Sequence, residues 1–284
     1  MCQGKAWVAG HLLECGRKDG EARHWATEDV VAFVRTGVEI GSGGAGRVYA
    51  NEEIDPSVVI KMSSVRMSCK QFERDFSIAK KMEERIKHNQ FHNPLACVVE
   101  VFAEIPEVEV EAGFIHCALI QQRVFRPKGL PFPESVQSYQ AYLGEEDYLH
   151  TDSRRGIYLG ANQIEPAIEP ATLMELAAAM GDLIGFLHYG ALCDAGDMEY
   201  LLGTLDDRAD ARVGIIAVDF DRVQFFTREQ MSSNEVVRAF HWSIRQETYF
   251  PDTDSPLYPA FEKAYLHQGA RFGYLPLARK VLEE

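Results

Sequence analysis

Ile40-Gly41-Ser42-Gly43-Gly44-Ala45-Gly46-Arg47-Val48 decides how this chain is read. The run has the spacing G-x-G-x-x-G-x-V and lies between two strand-like stretches, within VEIGSGGAGRVYA. That context separates it from a dinucleotide-binding turn, whose third glycine opens a helix. Glycine suits the position because, without a Cβ, backbone amides can come close to phosphate oxygens. The same glycines also suit a hairpin turn that needs positive φ. The next strand-like segment, PSVVIKM, carries Val58-Val59-Ile60-Lys61 and delivers a lysine close to the glycines.

Outward from there, KQFERDFSIAKKMEERIKH (70–88) reads as a helix. CVVEVFAEIPEVEV (97–110) and GFIHCALIQQRVF (113–125) read as two more strands, each bounded by Gly, Pro or polar residues. PATLMELAAAMGDLIGFLHYG (170–190) opens on a proline and repeats Leu173, Leu176, Met180, Leu183, Ile184 and Leu187 at helical spacing. Two short strands, EYLLG and GIIAVDF, follow it, and then two helices, SNEVVRAFHWSIRQET and PAFEKAYLHQGARF, around the turn YFPDTDSPLYP. Residues 126–169 are rich in Pro, Tyr and charge, and their length reads as a functional elaboration.

The order of elements predicts an α+β fold of the protein-kinase type: an N-terminal extension over 1–36, a small β-rich N-lobe over 37–125 with the glycine-rich loop, and a larger, mainly helical C-lobe over 126–284 with an insert at 126–169. In such folds the strand lysine pairs phosphates, and one helix supplies the glutamate that holds it. Here Lys61 takes the lysine position, and Glu73, Glu83 and Glu84 are the available partners, with Glu83 or Glu84 at the more kinase-like separation. LHYGALCDAGDMEYLLG occupies the place of a catalytic loop, H-R-D-x-x-x-x-N: Asp194 falls on its aspartate and Glu199 on its metal-binding asparagine. Val218-Asp219-Phe220-Asp221 imitates D-F-G, with Asp221 for the glycine. With Asp197 between them, three or four carboxylates are expected in one cleft. Such a cluster calls for Mg²⁺, a cationic substrate, or raised pKa values suited to acid–base work. The departures are equally plain: Leu192-Cys193 replaces the His-Arg pair, Glu replaces Asn, Asp replaces Gly, and no A-P-E segment follows Asp219.

The net charge of −14 argues against nonspecific nucleic-acid binding, and no DNA partner is expected. The charge is uneven, however. Lys61, Arg66, Lys70, Arg74, Lys80, Lys81, Arg85 and Lys87 crowd one stretch, which suits either a solvated helix with i,i+4 pairs or a basic face. Cys2, Cys15, Cys69, Cys97, Cys117 and Cys193 form no CxxC pair and read as reduced thiols, with no metal site expected. The N-terminal apolar stretches are broken by Gly, His and Glu, and Glu175, Asp182 and His188 interrupt the longest apolar region, so a cytoplasmic protein with no membrane contact is expected.

The chain resembles a fungal family labelled zinc-finger-like, whose marks are the glycine loop, a D-A-x-D-x-E-[FY]-[VL]-L-G motif and a V-x-D-F strand. Here these are Gly41 to Gly46, Asp194-Ala195-Gly196-Asp197-Met198-Glu199-Tyr200-Leu201-Leu202-Gly203, and Val218-Asp219-Phe220. The likeness continues through Arg155-Gly156-Ile157-Tyr158-Leu159-Gly160 and the turn from Tyr249 to Pro259. Relatives in that family include arginine-containing cyclodipeptide synthases, which join arginyl-tRNA and a second aminoacyl-tRNA into a cyclic dipeptide. The resemblance implies an acidic catalytic set, Asp194, Asp197, Glu199 and Asp219. The kinase-like motifs place substrate or phosphate contacts at Gly41, Gly43, Gly44, Gly46, Lys61 and Asp221, and the resemblance places candidate tRNA contacts at Lys70, Arg74, Lys80, Lys81, Arg85 and Lys87. No cofactor is needed for the bond itself, because the ester is already activated. A covalent route through Cys193 or Ser42 stays open, as do an ATP- and Mg²⁺-dependent kinase and a kinase-like binding module.

Overall fold

The computed structural model describes residues 24–42, 46–64, 69–111, 114–127, 138–144, 149–151, 156–160, 164, 170–205, 212–220, 222–245 and 249–284. It is a mixed α/β structure with two sheets. Helix α1 (Thr27–Thr36), inside the stretch read as an extension, buries Val30, Phe33 and Val34, an i, i+3, i+4 stripe. It starts where Asp29 accepts the amide of Ala26 at 3.0 Å.

Strands β1 (Val38–Ser42), β2 (Gly46–Asn51) and β3 (Asp55–Ser63) follow, then helix α2 (Cys69–His88) and strand β4 (Ala96–Val98). Strands β5 (Val101–Glu111) and β6 (Phe114–Gln122) complete a five-stranded antiparallel sheet in the order β1-β2-β3-β6-β5. Its core shows the period of two expected of strands. Val58, Ile60 and Met62 of β3 pack with Ala118 and Ile120 of β6 against Trp25, Val30 and Phe33. The intervening Lys61 therefore faces the other side, opposite Leu119, where α2 packs through Phe72 and Met82.

The run 97–110 is two strands, not one. Ala96–Val98 leaves the first sheet and runs parallel to β11 (Gly214–Val218) of the second, and the amide of Val99 donates to the carbonyl of Ala217 at 3.0 Å. The second sheet is six-stranded, β4-β11-β10-β7-β9-β8, with β7 (Ser138–Tyr142), β8 (Leu149–Thr151), β9 (Gly156–Gly160) and β10 (Glu199–Gly203). The half expected to be mainly helical thus carries a sheet of its own, half of it from the segment that had no readable pattern. Short strands in a mixed sheet show weak periodicity, because neighbours on both sides decide their pairing.

Helix α3 (Pro170–Tyr189) forms as read and packs on α5 (Tyr258–Arg271). A Cβ at Gly181 would stand 2.2 Å from the carbonyl oxygen of Phe261, so glycine lets the two backbones touch. Helices α4 (Asn234–Arg245) and α6 (Leu275–Glu283) close this larger core. No helix among the described residues is long and apolar enough to cross a membrane.

One expectation about the cysteines is corrected. Cys69, at the start of α2, and Cys117, on β6, are joined by a disulfide with their Cα atoms 5.6 Å apart. The residues are 48 apart in sequence and share no local motif, so only the packing of α2 on the sheet brings them together.

Candidate functional site

Lys61 is placed by strand alternation and used by the other half of the molecule. Its Nζ donates to both carboxylate oxygens of Asp219, each at 3.1 Å, across 158 residues of chain. The two side chains are 12 % and 28 % exposed, so the pair is partly desolvated. Asp219 follows β11 with φ 60°, in the left-handed region that non-glycine residues avoid. Leu192, Ala195 and Asp197 share that region, at φ 56°, 51° and 61°. Of the six such residues described, these four lie on the two segments singled out as catalytic, and Gln90 and Glu107 lie elsewhere.

The expected partner for Lys61 is corrected. Glu83 is held on its own helix by Lys80 (2.9 Å) and Lys87 (2.5 Å), and Glu84 lines a separate cavity beside Arg85. Helical spacing explains this: lysines three residues before and four after Glu83 satisfy it locally.

The expected convergence of carboxylates is corrected as well. Among the described residues no three His, Cys, Asp or Glu side chains come together as a metal-binding group. The four divide into two sets. Glu199, opposite Val218 in the β10–β11 ladder, lies at the same end of the sheet as Asp219. Glu199 accepts from Gln140 Nε2 at 3.3 Å, and Gln140 accepts from the hydroxyl of Tyr249 at 2.7 Å. Asp194 and Asp197 instead line a cavity of about 270 Å³ with Arg222, Gln224, Glu235 and Trp242.

That cavity is built by three elements. The turn 194–197 is stitched to the segment after β11, with Asp194 N donating to Gln224 O (3.0 Å) and Phe226 N to Leu192 O (2.7 Å). Oδ1 of Asp194 accepts the amides of Gly196 (3.1 Å) and Gln224 (2.9 Å). The Asp194 residue is 8 % exposed. Burial raises its pKa above the usual carboxylate value, and the two amides offset only part of that effect. Arg222 donates to Asp197 at 3.0 Å, a solvent-exposed pair of the kind that is easily exchanged. The third wall is α4, where Glu235, Ala239 and Trp242 fall at i, i+4 and i+7 on one face, and Trp242 is 46 % exposed. That spacing was visible in the sequence and unused. Gln140, Arg222 and Gln224 had no local signal, and Tyr249 stood out only as the start of the turn to Pro259.

The glycine run separates into parts. Gly43, Gly44 and Asp221 lie outside the described residues. Gly46 opens β2, where a Cβ would stand 2.0 Å from the carbonyl oxygen of Met62, so its glycine is required by strand pairing. Gly41 has only ordinary contacts at its Cβ position, the nearest being Val48 at 3.8 Å. The basic residues of α2 are all at least partly exposed, with Lys80 and Lys87 engaged by Glu83 and Lys81 lying 4.0 Å over the ring of Phe225. Cys193 is fully buried, donates its thiol to Leu187 O at 3.4 Å and is pushed up in pKa by burial, which makes it a packed, unreactive thiol and removes it as a covalent acceptor. In comparisons with known proteins, no family model matches the chain and no curated protein matches it.

Proposed function

We propose that the protein joins aminoacyl groups from charged tRNA, taking a cationic amino acid such as arginine in the cavity of Asp194, Asp197, Glu235 and Trp242 and releasing a cyclic dipeptide. The observation that carries this reading is the combination in that cavity of three carboxylates with an exposed indole, around a volume of about 270 Å³. A guanidinium is recognised by carboxylate forks and by an aromatic face. The Arg222–Asp197 contact supplies an internal example of such a pair. The volume suits one amino acid better than a nucleoside triphosphate, lying just under the usual range of about 300 to 1,000 Å³ for ligand sites.

In the reaction, the α-ammonium of one aminoacyl ester gives a proton to Asp194, whose Oδ1 is held by two amides. The free amine attacks the ester carbonyl of the second, the C–O bond to the ribose breaks, and the proton passes to the departing ribose oxygen. The amine of the second residue, deprotonated in turn, then attacks the carbonyl of the first ester; that ester's C–O bond breaks, its ribose oxygen leaves with the proton, and the ring closes. The raised pKa of Asp194 brings it closer to the operating pH, as a general base requires. A cytoplasmic location follows from the substrate.

The scaffold reads as kinase-like. Supporting this are the sheet order β1-β2-β3-β6-β5 with α2 inserted before β4, and the lysine of β3 meeting the aspartate after β11. That same ion pair favours a second reading, an ATP-dependent phosphotransferase in which Asp219 and Glu199 hold Mg²⁺ and Lys61 a phosphate. Separate assays with arginyl-tRNA plus a mixture of aminoacyl-tRNAs, and with ATP and Mg²⁺, discriminate the two. Release of an arginine-containing cyclic dipeptide in the first assay is expected, and ATP turnover without dipeptide would discard the transferase.

A further inference from the structure

Helix α2 carries a basic edge that ends in a cavity unrelated to the acidic one. Lys70, Arg74, Lys81, Arg85 and His88 recur at helical spacing and share that edge, while Lys80 and Lys87 lie on another with Glu83. Lys81 over Phe225 turns the edge toward the segment after β11. At its end opens a cavity of about 510 Å³, lined by Glu84, Arg85 and His88 of α2, by Arg228, and by Phe272 and Tyr274 between α5 and α6. Two guanidinium groups against one carboxylate reverse the sign of a molecule whose net charge is −14.

The walls are tied in place. Arg271 donates to the carbonyls of Asn89 and Gln90 at 2.8 and 3.0 Å, and Asn89 donates to that of Gly190 at 2.8 Å. The ring of Tyr274 stacks on Tyr189, centroids 5.9 Å apart. A preformed cavity of this kind loses little entropy when it is filled.

We infer that this cavity binds one nucleotide, with its phosphate on Arg85 and Arg228 and its base against the wall of Phe272 and Tyr274. Guanidinium forks match phosphate oxygens two at a time, and an aromatic wall stacks any base without reading its edge. A volume of about 510 Å³ holds a base, a ribose and a phosphate, within the usual range of ligand sites. The chemistry is shared by a free nucleotide and by the single-stranded 3′ end of an RNA. As an RNA site it deepens the proposed use of charged tRNA and rests on that reading; as a nucleotide site it stands alone.

Fluorescence anisotropy with a labelled hexaribonucleotide ending in CCA, with unlabelled AMP as competitor, tests the assignment on the full chain. Binding is expected to weaken as salt rises, and Arg85→Glu and Arg228→Glu are each expected to weaken it about tenfold and to lower the salt slope by about one. Lys263→Glu, an exposed charge reversal elsewhere on α5, is the control and should change it less than about threefold. Competition by AMP assigns the site to a mononucleotide, and RNA binding that AMP does not displace assigns it to the strand end. Parent-like binding by both cavity variants, or binding of neither probe by the parent, overturns the inference. RNA or AMP binding that depends on Arg85 and Arg228 in a protein that makes no dipeptide keeps the cavity and removes the synthase reading. Full dipeptide yield from both variants rules the cavity out as the seat of the tRNA end.

Discussion

Two polar clusters in this protein use similar side chains for opposite ends. In the larger core, His188 has one ring nitrogen 2.8 Å from the Tyr265 hydroxyl and the other 3.0 Å from the Ser243 hydroxyl, and it stacks on Phe240 with centroids 3.9 Å apart. Tyr189 bonds the same Tyr265 hydroxyl at 2.7 Å. That cluster is buried, neutral and on regular helix. The second region, the Lys61–Asp219 pair and the separate cavity of Asp194 and Asp197, is partly open to solvent, and Asp197 and Asp219 themselves have positive φ. A buried cluster with its hydrogen bonds satisfied and no backbone strain serves the fold. One that keeps charge near a cavity and strain in the chain is arranged for a ligand.

The comparison breaks most sharply at Asp194. Asp194→Asn keeps an oxygen for the amides of Gly196 and Gln224 but cannot accept a proton. Dipeptide formation should fall about 10²- to 10⁴-fold, while thermal unfolding stays near that of the parent. Because burial raises this carboxyl, the acid limb of the parent's rate against pH should lie above the ordinary aspartate range, and it should vanish from the residual activity of the variant.

Stability should respond to the other features. Reducing Cys69–Cys117 releases a 48-residue separation and, on the chain-entropy argument, costs about 4 kcal/mol. Denaturant unfolding with and without reductant measures it. His188→Leu should cost about 1 to 3 kcal/mol by removing one hydrogen bond from each of the Tyr265 and Ser243 hydroxyls, which keep Tyr189 and the carbonyl of Phe240 as their remaining partners. The same histidine sets a pH dependence. Burial pushes it down to about 3, so the unfolded chain takes up a proton near pH 6.5 that the folded chain refuses. The neutral ring's contribution is therefore complete above pH 6.5 and is lost progressively as pH falls from there toward 3, a slope the His188→Leu variant should lack in urea titrations.

The smallest effect is expected at Trp242. Trp242→Ala removes an aromatic face worth about 0.5 to 2 kcal/mol to a cation. It should raise the KM for arginyl-tRNA about 2- to 30-fold and leave kcat nearly unchanged, whereas a purely structural role would move both.

Much of the chain was legible because its signals are local. Helix α3 follows from apolar spacing, and β3 with its Lys61 from the strand-like run Val58-Val59-Ile60-Lys61. Asp194, Glu199 and Asp219 were found by their places at the edges of short strands. The strands from 138 to 160 were missed, as was the split at Val99–Glu100, because their pairing partners come from distant parts of the chain. Glu83 was misassigned as a partner for Lys61 because separation along a chain says nothing about the lysines on either side of it on the helix.

By itself, then, the sequence determined the elements with a local pattern, most of those over 38–125 and 170–271, and that a lysine and several carboxylates stand at their ends, since those properties depend on neighbours within a few positions. Only the tertiary structure decided that Lys61 meets Asp219, that Asp194 and Asp197 turn toward Glu235 and Trp242 instead of toward Glu199, and that Cys69 reaches Cys117. Each of those contacts joins residues that periodicity and propensity leave unrelated, and each exists because two cores pack sheets and helices into one arrangement.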